Sequence, residues 1–454
     1  MQGSIWNLKI APSVMLACLF SLQVRAVSSV ETDVPVQALA NTDETQLNTS
    51  SATEEIWGDD NWGEETKSPW KYSGFVEAAQ GNFLQHNVVK SGASLSELRS
   101  RIELSYSHEY FEFTAKADAR YDAVLSGTFW DTRELNLSAS PFDILDVKIG
   151  RQVLTWGTGD YLFLNDLFPK DWQSFFSGRD DEYLKAPSDS VRTSWYIKGF
   201  TLDLVWTPQF TPDKYLTGER FSFYSPLAQA SVAPAERFQV NTTDDPQWSA
   251  RLAKNYSGVE VALYGSKGFW TTPVGINEMG SAYFPKMNSL GASVRLSLAG
   301  GLLNAEYVTY NSLEDQDGTN PFLPNSQQRF LLGFETELLK NVTASVQAYI
   351  EHTDDYDAFK AASFYQKQIV DENRQLLTLR LRYATMQQKL TYSFFTFYSP
   401  TDSDAYIKPS ISYRHNDQWL YALGANVFWG NEDFSFFGQL QDNTNAWLRV
   451  RYQF

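Results

Sequence analysis

Apolar and polar residues alternate with a period of two along most of the chain after Trp70. In the clearest stretch, residues 111–122, every odd position holds Phe, Ala or Tyr, and every even position holds a charged residue or Thr. Successive side chains of a β-strand point to opposite faces, so this stretch predicts a strand with one apolar and one polar face. A soluble β-sandwich does not need so complete a division, whereas a strand between lipid and water does.

About eighteen stretches show this alternation, most of them long enough for a tilted membrane strand of about nine to eleven residues. Tight turns and longer loops alternate between them, as in bacterial outer-membrane barrels. The sequence therefore predicts an all-β fold, a transmembrane antiparallel up-and-down β-barrel of about 18 strands, with 16 as the alternative. The predicted strands are 70–83, 95–109, 111–125, 132–140, 145–157, 190–198, 200–210, 247–255, 259–270, 287–299, 301–312, 327–339, 341–353, 374–385, 388–399, 404–415, 419–430 and 445–454.

The final predicted strand, Asn445–Phe454, keeps its alternation up to the last residue. The two predicted faces carry Leu448, Val450, Tyr452 and Phe454 on the apolar side, and Trp447, Arg449, Arg451 and Gln453 on the polar side. This strand resembles the closing strand of Gram-negative outer-membrane β-barrels, in which the terminal Phe is part of the signal read by the assembly machinery. The resemblance implies that the barrel assembly machinery is a partner of this strand.

The N-terminus has the features of a secretory signal peptide: Lys9, an apolar run over 10–22, and a small-residue cleavage pattern that ends at Ala26. We expect cleavage after Ala26. This removes Cys18, the only cysteine, so no disulfide or thiol chemistry is expected in the mature chain. No later apolar run is long enough for a membrane-spanning helix, so any spanning must be by strands.

Three regions follow from these patterns. Residues 1–26 are the predicted signal peptide, and residues 70–454 are the predicted outer-membrane barrel. Residues 27–69 are rich in Thr, Ser, Asp and Glu with little to bury, which predicts a disordered acidic segment in the periplasm. The expected location is the cell outer membrane, where the apolar faces would contact lipid and lipopolysaccharide.

The stretch after the fifth predicted strand loses the period of two and mixes aromatic residues with Gly, Pro and dense charge. A loop exposed to water needs few aromatic residues, whereas a loop folded into the lumen must pack against the inner wall. We therefore predict an inward-folded constriction loop. Its charges either line the narrowest passage or pair with one another and with the wall, and the sequence leaves both open. The candidates are Asp166, Lys170, Asp171, Arg179, Asp180, Asp181, Glu182 and Lys185.

Basic residues recur on the predicted lumen faces of strands that become neighbours when the barrel closes. Such a sector would favour anions in the pore, although rows of Arg also brace barrel walls by pairing with acids. The predicted basic sector is Arg99, Arg101, Arg151, Arg380, Arg382, Lys408, Arg414, Arg449 and Arg451. The predicted opposing acids are Asp118, Asp122, Glu134, Glu306, Glu335 and Glu337.

Arg151 conflicts with this assignment, because strict alternation from Leu145, Val147 and Ile149 sends it outward. An Arg in the middle of the bilayer costs several kcal/mol. Two solutions are open: a β-bulge at Gly150 that turns Arg151 into the lumen, or a position near the membrane rim.

Three short motifs near this position carry a family resemblance: Gly150-Arg151-Gln152, Thr155-Trp156-Gly157 and the segment 165–169 (Asn-Asp-Leu-Phe-Pro). The motifs resemble a group of proteobacterial porin-like outer-membrane proteins that is broadly similar to the alginate-export barrels. The resemblance implies a monomeric or trimeric barrel that passes a solute or a polymer across the outer membrane. It covers a few dozen residues and does not specify a substrate.

Other function classes find no support in the sequence. Catalytic and phosphate-binding motifs are missing, and the four His residues have no partners at metal-ligand spacing, so no enzyme activity, metal or cofactor is expected. A formal net charge of −17 argues against nucleic acid as a partner. We predict passive diffusion of small hydrophilic solutes, including anions. The alternatives are export of an acidic polysaccharide and a closed barrel with a binding or structural role; the oligomeric state stays open.

Overall fold

The computed structural model describes residues 68–89, 92–225, 229–232, 240–364 and 368–454. Within these residues, an 18-stranded antiparallel sheet closes on itself because the last strand pairs with the first. The predicted antiparallel β-barrel of 18 strands is therefore confirmed. The predicted signal peptide and nearly all of the predicted acidic segment lie outside the described residues.

The strands keep chain order around the barrel. They are β1 (Trp70–Phe83), β2 (Ala93–Ser107), β3 (Glu112–Asp122), β4 (Gly127–Phe142), β5 (Leu145–Val153), β6 (Pro187–Ile197), β7 (Phe200–Thr207), β8 (Gln247–Tyr256), β9 (Val259–Phe269), β10 (Lys286–Leu298), β11 (Gly301–Ser312), β12 (Gln327–Leu339), β13 (Val342–Thr353), β14 (Asn373–Thr385), β15 (Leu390–Ser399), β16 (Asp404–Arg414), β17 (Trp419–Gly430) and β18 (Asn445–Gln453). Shorter strands pair in the loops, at 223–225 with 230–232 and at 275–276 and 240–241 with 282–283.

The two ends of the barrel differ in the length of their connections. At the short-turn end, each connection has two to four residues, and turns such as Ser257-Gly258 have positive φ at both positions, as type I′ hairpins require. At the long-loop end, the connections reach from residue 154 to 186 and from 208 to 246. Both ends of the barrel chain, Trp70 and Gln453, lie at the short-turn end.

The outer and inner faces of the strands follow the alternation of the sequence. Leu98, Ile102 and Leu448 are at least half exposed on the outer surface, which is the surface that faces lipid in a membrane. Trp447 and Arg451, on the opposite face of β18, are buried in the barrel interior. The predicted division of the last strand into two faces is therefore confirmed.

Strand β4 begins five residues earlier than predicted, because the period of two is broken inside it. The pairing with β3 shifts at this point: Lys116 lies opposite Glu134, and the next residue, Ala117, lies opposite Thr132. Arg133 is the extra residue of this β-bulge, and it is buried.

The assignment of Arg151 to the lumen is wrong. Gly150 has a φ of +117°, but its pairing is regular on both sides, and Arg151 stays opposite Leu135, whose side chain is half exposed on the outer surface. Arg151 donates to the backbone carbonyl of Thr132 at 2.6 Å and to Asp189 at 3.2 Å. It lies two residues from the long-loop end of β5, so the position near the rim is the correct alternative.

The connection from 154 to 186 folds into the barrel, as predicted. Its short helix α1 (Trp172–Ser177) begins at Asp171, whose side chain accepts from the Ser174 backbone N–H, and ends at Gly178, which has a φ of +86°. Phe175 and Phe176 of α1 pack on wall residues in a buried aromatic cluster. This loop, the constriction loop, occupies the barrel interior because its aromatic side chains complete a core there.

Candidate functional site

The tip of the constriction loop carries three acidic residues that contact the predicted basic sector. Asp180 lies 3.3 Å from both Arg449 and Arg451 of β18. Burial acts to raise the pKa of Asp180, but these two cations outweigh it and hold the pKa below its ordinary value. The loop and the wall are therefore tied together by charge at this point.

The next two loop residues make the same kind of contact with other strands. Asp181 pairs with Lys408 of β16 and accepts from the Tyr161 hydroxyl at 2.6 Å. Glu182 pairs with Arg101 of β2 at 2.8 Å. The structure therefore combines the two alternatives that the sequence left open. The acidic tip crosses the lumen, and its charges pair with basic residues of the wall.

Four other predicted constriction residues make contacts that hold the loop itself in place. Lys170 and Asp166 form a buried ion pair at 3.0 Å. Asp171 caps α1 and lies 3.5 Å from Lys214. Lys185 is half-buried and donates to Thr155; burial lowers the pKa of Lys185, although Asp166 opposes this change.

Arg179 joins a buried network of acids and arginines. It donates from Nε to the carboxylate of Glu97 at 3.1 Å. Arg220, from the loop between β7 and β8, enters the same network through Asp122 and through the backbone carbonyl of Ser94 at 2.7 Å. The other members are Arg99, Arg101, Asp118 and Arg120.

The residues of the site that were not predicted from the sequence include Glu97, Arg120, Arg133 and Arg220. Arg120 shares a strand face with Asp118 and Asp122, so the alternation of 111–122 contained a signal for it. The β-bulge breaks the alternation at Arg133, so the pattern does not predict that its side chain points inward. Arg220 lies in a long loop, where no periodicity indicates which way a side chain points.

A cavity of about 240 Å³ lies beside α1 at the long-loop end. Its charged lining consists of Arg99, Arg120, Arg133, Arg179, Lys214, Asp131 and Asp171. Arg133 donates to the backbone carbonyls of Glu182 and Lys185 and stacks on Tyr183, but it has no carboxylate partner among the described residues. Cations therefore outnumber acids in this outer cavity.

A second cavity of about 300 Å³ lies on the other side of the loop, along β10 to β14. Its charged lining consists of Asp160, Asp166, Lys185, Arg295, Glu335 and Arg380. Arg380 pairs with Glu335 at 2.6 Å and Asp160 at 3.0 Å. Burial raises the pKa of Asp160, although Arg380 opposes this change. This inner cavity has more balanced charge than the outer one.

The remaining members of the basic sector differ in whether an acidic residue pairs with their charge. Arg99 and Arg101 pair with Asp118 in the buried network, at 3.0 and 2.6 Å. Arg382 and Arg414 are exposed near the short-turn end and make no ion pair within the described ranges. Among the described residues, no group of three or more His, Cys, Asp or Glu side chains could hold a metal ion.

Comparison of the sequence with protein-family models and with curated proteins gave no match. Among solved structures, the barrel is similar to OccAB3 of Acinetobacter baumannii (TM-score 0.51, 10% identity, 85% of this chain and 99% of that chain). It is also similar to OccAB4 of Acinetobacter baumannii (0.52, 9%, 86% and 100%) and to OccK2 (OpdF) of Pseudomonas aeruginosa in complex with glucuronate (0.50, 11%, 85% and 97%).

These structures are outer-membrane porins of Gram-negative bacteria, and they are channels, not enzymes. At such low identity, the likeness concerns the fold, which is a porin-like barrel. The narrower resemblance to alginate-export barrels stays a prediction, because none of these three structures is such a barrel.

Proposed function

We propose that the protein is a channel of the cell outer membrane through which small hydrophilic solutes diffuse passively, with anionic solutes favoured. The closed barrel, its apolar outer face and its likeness to porins support the location and the channel role. In this proposal the outer face contacts lipid and lipopolysaccharide, and the strand that ends at Phe454 is recognised by the barrel assembly machinery.

The proposed preference for anions is based on the excess of cations in the outer cavity. Arg133 and Lys214 face this cavity, and Arg133 is satisfied by neutral carbonyls, so its charge is not cancelled locally. In a narrow passage with low-dielectric walls, such a charge raises the local concentration of anions. OccK2, to which the barrel is structurally similar, is in complex with glucuronate, which is a carboxylate.

A closed barrel is the second candidate, and one observation favours it. The aromatic side chains of the constriction loop and the wall form a continuous buried cluster inside the barrel, as in a packed core. Polysaccharide export would require a wide continuous passage, and nothing in the packing of this loop favours it. The presence or absence of ion conduction separates a channel from a closed barrel.

Reversal potentials in planar bilayers under a KCl gradient test the proposal. Wild-type protein should conduct and prefer Cl⁻. Arg133→Gln should lower the anion-to-cation permeability ratio about fivefold, because one uncompensated charge near the passage contributes an attraction on the order of 1 kcal/mol. Arg151→Gln is the matched control, since it removes the same charge from the outer wall and should leave the ratio unchanged.

Two outcomes would contradict the proposal in different ways. Absence of conductance from correctly folded protein would establish the closed barrel. Conductance with equal selectivity in wild type and Arg133→Gln would reject the preference for anions but retain the channel. Liposome swelling with neutral, anionic and cationic solutes of graded size would then define the solute class.

A further inference from the structure

The start of the constriction loop is held to the wall by one carboxylate that has no cation beside it. Glu306 of β11 is 2% exposed, and no basic side chain lies within ion-pair distance of it in the described part of the chain. The wall acids Glu97 and Asp118, by contrast, contact arginines. A buried carboxylate without a counterion must be stabilised by hydrogen-bond donors.

The loop supplies those donors, and two of them are consecutive backbone amides. Oε1 of Glu306 accepts from the Thr158 N–H, from the Gly159 N–H at 2.8 Å and from the Thr158 hydroxyl at 2.9 Å. Oε2 accepts from the Asn165 side-chain amide at 2.8 Å. Successive N–H groups that converge on one anion form a nest, a known anion-binding arrangement of the backbone.

The backbone around this nest is shaped for close approach of a carboxylate. Gly157 has a φ of +79°, and a Cβ atom placed on it would lie 3.0 Å from Oε1 of Glu306. A second wall residue on the same strand face, Asn304, donates to the backbone carbonyl of Thr158 at 3.1 Å. The segment 157–159 also lines the inner cavity, so the nest borders the space available to solutes.

We propose that the amides of Thr158 and Gly159 form a carboxylate-binding site that Glu306 occupies within the same chain, and that Glu306 thereby positions the constriction loop. The expected effect on conduction rests on the proposed channel function. Binding of a carboxylate at the site can be tested without measuring conduction. Its ligand class is a small monocarboxylate. Replacement of Glu306 by Ala retains Cβ and removes the atoms of an acetate ion, so acetate is the matched probe.

The first experiment measures hydrogen exchange of the amides of residues 155–166 in the full refolded chain. In chloride, Glu306→Ala should speed exchange at Thr158 and Gly159 by at least about tenfold, because both amides lose their acceptor. Acetate should restore protection in this variant, and methanesulfonate at equal ionic strength should not. Glu306→Gln fills the same space and leaves no room for acetate, so its exchange should be the same in acetate and in chloride.

Two glycine variants distinguish the effect of distorting the nest from the effect of backbone strain in general. Gly157→Ala should speed exchange in both salts, because the new Cβ distorts the nest while Glu306 is still present. Gly199→Ala is the matched control: its φ is +77°, but its Cβ would meet nothing within 4 Å. Its exchange at 155–166 should equal that of wild type.

The second experiment records single-channel currents of the same variants. Glu306→Ala should have larger current fluctuations than wild type in chloride, and acetate should reduce them, whereas Glu260→Ala, a wall variant away from the loop, should behave as wild type. Unchanged exchange in Glu306→Ala, or equal effects of acetate and methanesulfonate, would overturn the carboxylate site. A wild-type barrel that does not conduct, together with the expected exchange pattern, would instead reject the channel and retain the site.

Discussion

At the scale of single residues, Asp213 shows how one buried carboxylate joins several loops at the long-loop end. It accepts from the Lys170 backbone N–H at 2.8 Å, from the Trp172 indole N–H at 2.9 Å and from the Thr271 hydroxyl at 3.1 Å. Burial raises the pKa of Asp213 to about 6, although the Lys170 charge and these hydrogen bonds oppose the change. The contact that Asp213 makes between these loops is therefore sensitive to pH.

Docking of the loop that carries Asp213 should weaken as pH rises. The pKa of the docked carboxyl, about 6, lies above its ordinary value of 3.8, so the docked loop binds more protons in this window. Docking should be strongest below pH 4 and lose about 3 kcal/mol by pH 7. Hydrogen exchange of residues 208–216, corrected for intrinsic rates, measures this change. Asp213→Asn should abolish the pH dependence, and equal protection of wild type at pH 4 and 7 would contradict the prediction.

At the scale of elements, the segment 210–225 crosses the mouth of the barrel from β7 toward the opposite wall. Its far part is held by Arg220, by a hydrogen bond from the Ser222 backbone N–H to Asn443 at 3.0 Å and by buried Phe221. Burial and the nearby Arg179 charge lower the pKa of Arg220 to about 10, so it is still a cation at neutral pH. An ionic contact therefore fixes a mouth segment to the barrel wall.

Removal of this contact should loosen the mouth segment. Arg220→Ala leaves Asp122 and Glu97 with fewer cations, which costs about 3 kcal/mol for a buried pair. We expect faster cleavage by chymotrypsin near Phe221 and more frequent current fluctuations. Lys286→Ala serves as the control, because its exposed ion pair with Asp245 at 3.9 Å contributes little. Equal cleavage of both variants and wild type would show that Arg220 does not hold the segment.

At the scale of the whole molecule, closure of the sheet depends on the seam between β1 and β18. The pairing runs from Phe75 opposite Gln453 to Phe83 opposite Asn445, and Gly74 and Phe454 exchange two backbone hydrogen bonds of 3.0 Å. An open seam in lipid would leave a row of unpaired N–H and C=O groups, each costing several kcal/mol. Closure is therefore required for any membrane-inserted state.

Deletion of residues 445–454 should abolish the folded barrel, observed as loss of heat-modifiable gel mobility and of trypsin resistance after refolding. Phe454→Ala retains the paired residues 445–453 and should refold in detergent. In cells, the same variant should accumulate less in the outer membrane if the terminal Phe is read by the assembly machinery. Normal accumulation of Phe454→Ala would remove Phe454 from that proposed role.

The sequence by itself determined which residues form the strands and which strand faces point outward from the barrel. Both properties are local: a strand must alternate its side chains, and a strand between lipid and water must place one set on each side. Residues 111–122 show this clearly, and the end of β18 shows it up to the last residue. Where the alternation is broken by an extra residue, as at Arg133, the local rule failed.

Only the tertiary structure decided which charged side chains lie close enough to form ion pairs. Arg451 and Glu77 are far apart in the chain and become neighbours because the barrel closes, and Asp180 reaches them because the loop folds inward. Pairing of this kind depends on closure, register and loop path, none of which is encoded in a period of two. The same holds for Arg151, which the local pattern directed outward and whose tolerance there depends on the rim and on Asp189.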